Sequence, residues 1–242
     1  MFQIKCLPMI GILLLPLAAS AQDKAVSAIT IRAFLNDPSQ PEAKFFVPNT
    51  PDTRVPVNLN PGELPAEQTA VVINGRLTIY NSPTVDPAQP EAAVVASVAV
   101  AKNLGHAVAI IQPLGADRNP RYGIVLIDDS ASAFPPGESR IVSMTTLPVA
   151  LQIGEHKLPA ASGKVTAVPR VMKLDPYNMA QTDFFYQREN NWIPFNESKM
   201  KYLQSYRQIF ICSTRPGSQS PTLTTLIDDA PAAAGKEAAE AP

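Results

Sequence analysis

Cysteine and histidine are scarce in this chain, and each scarcity removes a class of function. There are two cysteines. Cys6 lies in a segment that reads as removable, which leaves Cys212 without an internal partner. The exported product cannot be stapled by a disulfide and must hold together by burial. The two histidines, His106 and His156, are too few for a zinc site without acidic ligands. Neither Glu155 nor the pair Asp128 and Asp129 supplies a metal spacing, and Glu155 and His156, as strand neighbours, would face opposite sides. No metal and no other cofactor is expected. Excess charge of one sign is also missing: the formal net charge is −1 and no Lys/Arg cluster stands out, so nucleic acid is not an expected partner. No run is apolar for the roughly 20 residues that a membrane span needs. Phosphate-binding and dinucleotide fingerprints are absent, as is a Gly-x-Ser-x-Gly elbow.

What is present begins with residues 1–21. Lys5 is the lone charge, Leu7 to Leu17 is almost wholly apolar, and Ala19-Ser20-Ala21 is a small-x-small cleavage signal before Gln22. That order reads as a secretory signal peptide, removed after Ala21. Cys6 precedes the apolar run, so it is not a lipid anchor. The expected location is periplasmic or secreted. Cys212 sits within Ile209-Phe210-Ile211-Cys212 and reads as a buried thiol.

Twenty-five prolines are scattered along the chain, which argues against long helices and for short strands joined by rigid turns. Ile29, Ile31, Ala33 and Leu35 alternate with polar residues as a half-buried strand does. Ala43–Val47, Val55–Leu59 and Ala70–Ile73 follow. Asn74-Gly75 then predicts a type I′ hairpin into Arg76–Tyr80, because both central residues need positive φ. Ala92–Ala101 reads as a strand on its valines. Ala107–Gln112 and Tyr122–Ile127 come next. The latter is apolar on both faces, which predicts a central strand covered on both sides. Residues 128–137 are small, polar and proline-rich, as in a short linker whose Asp128-Asp129-Ser130 would be a solvated turn. A second strand series runs from Arg140 to Ile227. Gly154-Glu155 suits a type II′ hairpin, and Asn196–Leu203 could hold one helical turn.

The predicted class is all-β: two consecutive immunoglobulin-like β-sandwich domains after a cleaved signal peptide, at 22–130 and 131–227. Strands every 8–12 residues without alternating helices exclude a Rossmann-type sheet. No long internal repeat is visible. Residues 228–242 are Ala/Pro/Glu-rich and read as a disordered tail.

Few constellations could carry chemistry. Ser130, His106 or His156, and Asp129 could form a hydrolase triad on paper. Glu63, Glu67, Glu91 and Glu138 show no acid–base pairing of the kind glycoside hydrolysis uses. The aromatic group Phe184, Tyr186 and Trp192 is the candidate binding patch, to stack on a sugar or grip a peptide. It competes with a simple core role, since aromatics dominate β-cores.

Five segments together carry a resemblance. They are Ile29-Thr30-Ile31-Arg32-Ala33, the Asn74-Gly75 hairpin, Phe134-Pro135-Pro136-Gly137-Glu138-Ser139-Arg140, the aromatic strand near Tyr186, and Tyr206-Arg207-Gln208-Ile209-Phe210. In these the chain resembles uncharacterised bacterial secreted immunoglobulin-like β-sandwich proteins. The resemblance implies fold and an envelope location, and no activity. The expected function is a non-enzymatic, envelope-associated structural or interaction module, whose partner is another envelope protein or a glycan. A carbohydrate- or peptide-binding accessory protein is the alternative, and a histidine-centred hydrolase the third reading.

Overall fold

The computed structural model describes residues 25–229, apart from 41, 61, 116, 117 and 216. The expected signal segment and the tail from 230 onward lie outside the described residues. Among the described residues there are sixteen strands, one 3-10 turn at Pro90–Ala93 and no α-helix. The chain is all-β, with several sheets. No helix among the described residues is long and apolar enough to cross a membrane.

The first eight strands are β1 (Val26–Leu35), β2 (Phe46–Pro48), β3 (Arg54–Pro56), β4 (Gln68–Ile73), β5 (Arg76–Tyr80), β6 (Val94–Ala99), β7 (His106–Pro113) and β8 (Tyr122–Asp128). The second eight are β9 (Ser139–Met144), β10 (Val149–Ile153), β11 (His156–Ala160), β12 (Val165–Val168), β13 (Met179–Arg188), β14 (Asn191–Lys201), β15 (Tyr206–Ser213) and β16 (Thr222–Asp229). Three boundaries differ from expectation. Pro90–Ala93 forms a 3-10 turn before β6 begins. The helical turn expected at Asn196–Leu203 is absent: β14 continues to Lys201, held by ten-residue pairing with β13. And β16 includes Asp228 and Asp229, which composition alone placed in the tail.

The pairing of the first eight strands recurs in the second eight. β1 pairs antiparallel with β4 and parallel with β7, and β7 pairs with β8. Likewise β9 pairs antiparallel with β12 and parallel with β15, and β15 pairs with β16. β2 joins β3 and β5, and β5 joins β6. In the same way β10 joins β11 and β13, and β13 joins β14. The sequence shows no repeat because pairing needs alternation and burial, not particular residues. One contact differs. The tight Asn74-Gly75 turn pairs Ile73 with Arg76 and links the first eight strands into one sheet. The longer connection between β12 and β13 makes no such link, so the second eight form two four-stranded sheets.

Alternation along the strands separates three cores. Ile29, Ile31 and Ala33 of β1, with Ala107, Ala109 and Ile111 of β7, face Leu77 and Ile79 of β5. Phe210 and Cys212 of β15 face Leu151 and Phe184 across the two four-stranded sheets. The opposite faces of these same strands meet each other: Phe34, Val108 and Ile110 lie against Val142, Ile209, Ile211 and Leu226. This third core is a seam between the halves. β7 and β15 are buried almost throughout because they carry a core on each side. β8 is covered on both faces as predicted, but it pairs only with β7 and is not central. Its cover comes from layers above and below, not from in-sheet neighbours.

Three two-residue turns set registers. Asn74 (φ 52°) and Gly75 (φ 71°) take the expected type I′ signs, and so do Glu189 (φ 50°) and Asn190 (φ 67°) between β13 and β14. At Gly154 (φ 51°) a Cβ would stand 2.7 Å from Val171 Cγ1. Gly154→Ala is therefore expected to destabilise the fold by about 1–3 kcal/mol in denaturant unfolding. Gly163→Ala, at φ 68° with open space around it, should lose less.

Candidate functional site

The structure divides the predicted aromatic patch. Phe184 is fully buried, with ring centroids 5.3 Å from Phe210 and 6.0 Å from Phe195. Tyr186 is buried beside Phe195 at 6.2 Å. Both are core residues and are withdrawn as ligand contacts. Trp192 is 49% exposed and stands opposite Gln187, one residue from Tyr186 and therefore on the other face of the sheet. The aromatic residue that shares its face is Phe185. Together with Ala150, Gln152, Lys157 and Pro159 they border a shallow apolar depression of about 430 Å³.

The triad residues are not brought together. His106 is exposed, with Nδ1 3.9 Å from Glu67. His156 Nε2 lies 3.1 Å from the Arg170 carbonyl and 3.5 Å from Glu155. That last contact corrects the opposite-faces expectation: Glu155 sits in the hairpin turn, where strand alternation does not hold. Slight desolvation pushes the Glu155 carboxyl up, but the Met172 and Lys173 amides, donating at 2.7 and 3.1 Å, hold it below its ordinary range. Among the described residues no three His, Cys, Asp or Glu are grouped to hold a metal ion. Cys212 is fully buried, and burial pushes its thiol up to about 12, so the thiolate is suppressed.

Asp129 is not a solvated turn residue. It is one corner of a closed quartet that joins the halves. Arg32 on β1 donates to Asp129 Oδ2 and Oδ1, both at 2.9 Å, and to Asp228 Oδ1 and Oδ2 at 2.7 and 2.9 Å. Arg207 on β15 donates Nε to Asp228 Oδ2 at 2.9 Å and also contacts it through Nη2, which lies 2.9 Å from Asp129 Oδ1. Side-chain exposure of all four is 12% or less. Burial opposes the charge on Arg32, but its two carboxylate partners outweigh it and raise the pKa. Burial likewise pushes Asp228 up, and the Arg32 and Arg207 guanidiniums reverse this to hold it below its ordinary value.

The expected linker is anchored to the same cluster. Phe134 is fully buried and two guanidiniums lie over its ring, Arg140 at 4.5 Å and Arg207 at 4.7 Å from the centroid. Arg207 Nη1 donates to the Phe134 carbonyl at 3.2 Å, and Arg140 Nη2 donates to the Ala133 carbonyl. Residues 129–138 are thus anchored to the seam through Asp129 and Phe134, while Ala131, Ser132 and Ala133 stay exposed.

A cleft opens farther along the seam, where β1 ends. Arg32 and Asn36 are four residues apart, about 13 Å of extended chain. The cleft encloses about 380 Å³, with Leu35 and Leu59 on its apolar side and Asn36, Thr222 and Thr224 on its polar side. Asn36 Nδ2 donates to Gln112 Oε1 at 3.2 Å and Ser213 Oγ at 3.1 Å, and Asn36 Oδ1 accepts from Thr224 Oγ1 at 3.0 Å. Arg215 stands exposed at the mouth.

No protein-family model matches the chain, and no curated protein matches it. Of the residues that build quartet and cleft, only Asp129 stands out from sequence as a functional candidate, and then as a triad carboxylate. The signals for the others are Arg32 and Arg207 inside apolar strands, and Thr222 and Thr224 two residues apart on one strand face.

Proposed function

We propose that this chain is an exported, non-enzymatic interaction module of the bacterial cell envelope. Its two consecutive immunoglobulin-like β-sandwich domains are joined into one body that presents fixed surfaces to a partner. The observation that carries this reading is the Arg32–Asp129–Arg207–Asp228 quartet. The charged groups with the closest mutual contacts are committed to joining the halves, and the carboxylate of the paper triad is among them. The recurring strand pairing supports a two-domain description, and residues 1–21 support export. In calorimetry, residues 22–242 should unfold in one transition with equal calorimetric and van't Hoff enthalpies. Two separated transitions would overturn the one-body reading, and retention of residues 1–21 on the product of a bacterial host would overturn export.

A second reading, a carbohydrate- or peptide-binding accessory protein, is favoured by the outward placement of Trp192 and Phe185. Trp192 is the sole tryptophan, so its fluorescence reports this face directly. Acrylamide should quench it efficiently in the folded protein. A shielded Trp192 would remove this reading.

A further inference from the structure

We propose that the cleft at the end of the seam binds a sugar acid, a ring of hydroxyls carrying one carboxylate. This deepens the reading of the chain as an interaction module and rests on it. The cleft's volume of about 380 Å³ lies within the range of small-molecule sites, which favour domain boundaries.

The hydrogen-bond inventory of the walls selects the ligand. Thr224 Oγ1 spends its proton on Asn36 Oδ1, and Thr222 Oγ1 spends its proton on the Ser213 carbonyl at 3.2 Å. Each hydroxyl oxygen keeps acceptor capacity, although Thr222 Oγ1 also lies 3.5 Å from Ser213 Oγ. Asn36 spends both amide protons on Gln112 and Ser213, and its Oδ1, which accepts from Thr224, keeps one lone pair. Asn60 adds an amide to the wall, which can donate and accept, so the lining calls for a ligand that does both, as sugar hydroxyls do. A bare phosphate has too few donors and would leave those acceptors unpaired. Leu35 and Leu59 offer apolar surface to the C–H edge of a ring.

Arg215 supplies the complementary donor. No carboxylate among the described residues pairs with it. The carboxylate nearest in the lining, Asp37, is already held by Ser39 through Nα at 3.1 Å and Oγ at 2.6 Å, and by the Tyr122 hydroxyl at 3.2 Å. The guanidinium fork is free to take a ligand carboxylate in bidentate geometry. Both halves contribute, with Asn36 and Leu59 from one and Arg215, Thr222 and Thr224 from the other. The site exists only while the seam is closed.

The test is calorimetric titration of residues 22–242 with D-glucuronate, D-glucose, acetate and tetragalacturonate. Glucuronate should bind, with glucose weaker by about tenfold or more, the worth of one charge-assisted hydrogen bond, and acetate weaker by about as much because it lacks the ring and its hydroxyls. Arg215→Gln, an exposed change that leaves the fold intact, should bring glucuronate down to the level of glucose. Thr224→Val should weaken glucuronate and glucose alike. Tetragalacturonate binding at least as tightly as glucuronate assigns the end of an acidic glycan as the source, and glucuronate binding alone assigns the free sugar. Glucuronate binding unchanged in Arg215→Gln overturns the proposal. A chain that unfolds in one transition and binds none of the four probes also overturns it, and leaves the one-body reading standing.

Discussion

Arg207→Met should destabilise the protein by about 3–5 kcal/mol in urea or guanidinium unfolding, the usual loss when one partner of a buried ion pair is removed. Arg207 holds Asp228 through two nitrogens and also donates to the Asp129 and Phe134 carbonyls, at 3.4 and 3.2 Å. Removing it leaves two carboxylates, each 7% exposed or less, to share Arg32. Asp228→Leu added to Arg207→Met should recover part of the loss, since an apolar pair needs no compensation; a double-mutant cycle measures the coupling. The pH dependence follows from Asp228. Its folded pKa lies below the unfolded value of about 3.9, so its stabilising contribution is complete above that pH and is lost as pH falls through the folded pKa. Acid unfolding monitored by circular dichroism should shift to higher pH in Asp228→Asn. An unchanged acid midpoint would deny the quartet its role.

Phe134→Ala should cost about 3–5 kcal/mol, as for a fully buried aromatic in a core. The side chain has no exposed surface and belongs to the seam core with Val108, Ile110 and Ile209. Its removal also leaves the Arg140 and Arg207 guanidiniums without the ring they lie over. The second readout is limited proteolysis. In the native protein residues 129–138 should resist cleavage, because Arg140 and Arg207 hold the Ala133 and Phe134 carbonyls. In Phe134→Ala that segment should become the first internal cut. Cleavage there in the native protein at the rate of an open loop would contradict the burial of Phe134.

Phe134 and Asp129 owe their burial to contacts that no local pattern shows. Phe134 stands in a Ser-Ala-Phe-Pro-Pro-Gly stretch whose composition signals a loop, and a loop it is by backbone. Nothing local says that its phenylalanine is buried against β15. Asp129 follows the same logic: a turn residue by type, buried because Arg32 and Arg207 arrive from 97 and 78 residues away in the chain. For the aromatic strand the alternation was legible, and Phe184 and Tyr186 do share a face. Which face looks inward depends on the second sheet, and that placed Phe185, not its neighbours, beside Trp192.

The cleft shows the same division at finer grain. Thr222 and Thr224 are two apart on a strand, so their common face is a local property. Their meeting with Asn36, 188 residues from Thr224, is not. Most of the strands and two of the turns were legible locally: period-two alternation marks the strands, and Asn-Gly and Gly-Glu mark the turns, because backbone sterics over a few residues settle both. Which strand faces are doubly buried, which charges find partners, and that two halves with unrelated residues repeat one pairing pattern were settled by the stacking of the sheets. Those outcomes depend on contacts between residues far apart in sequence, whose energies exist only when the sheets are stacked.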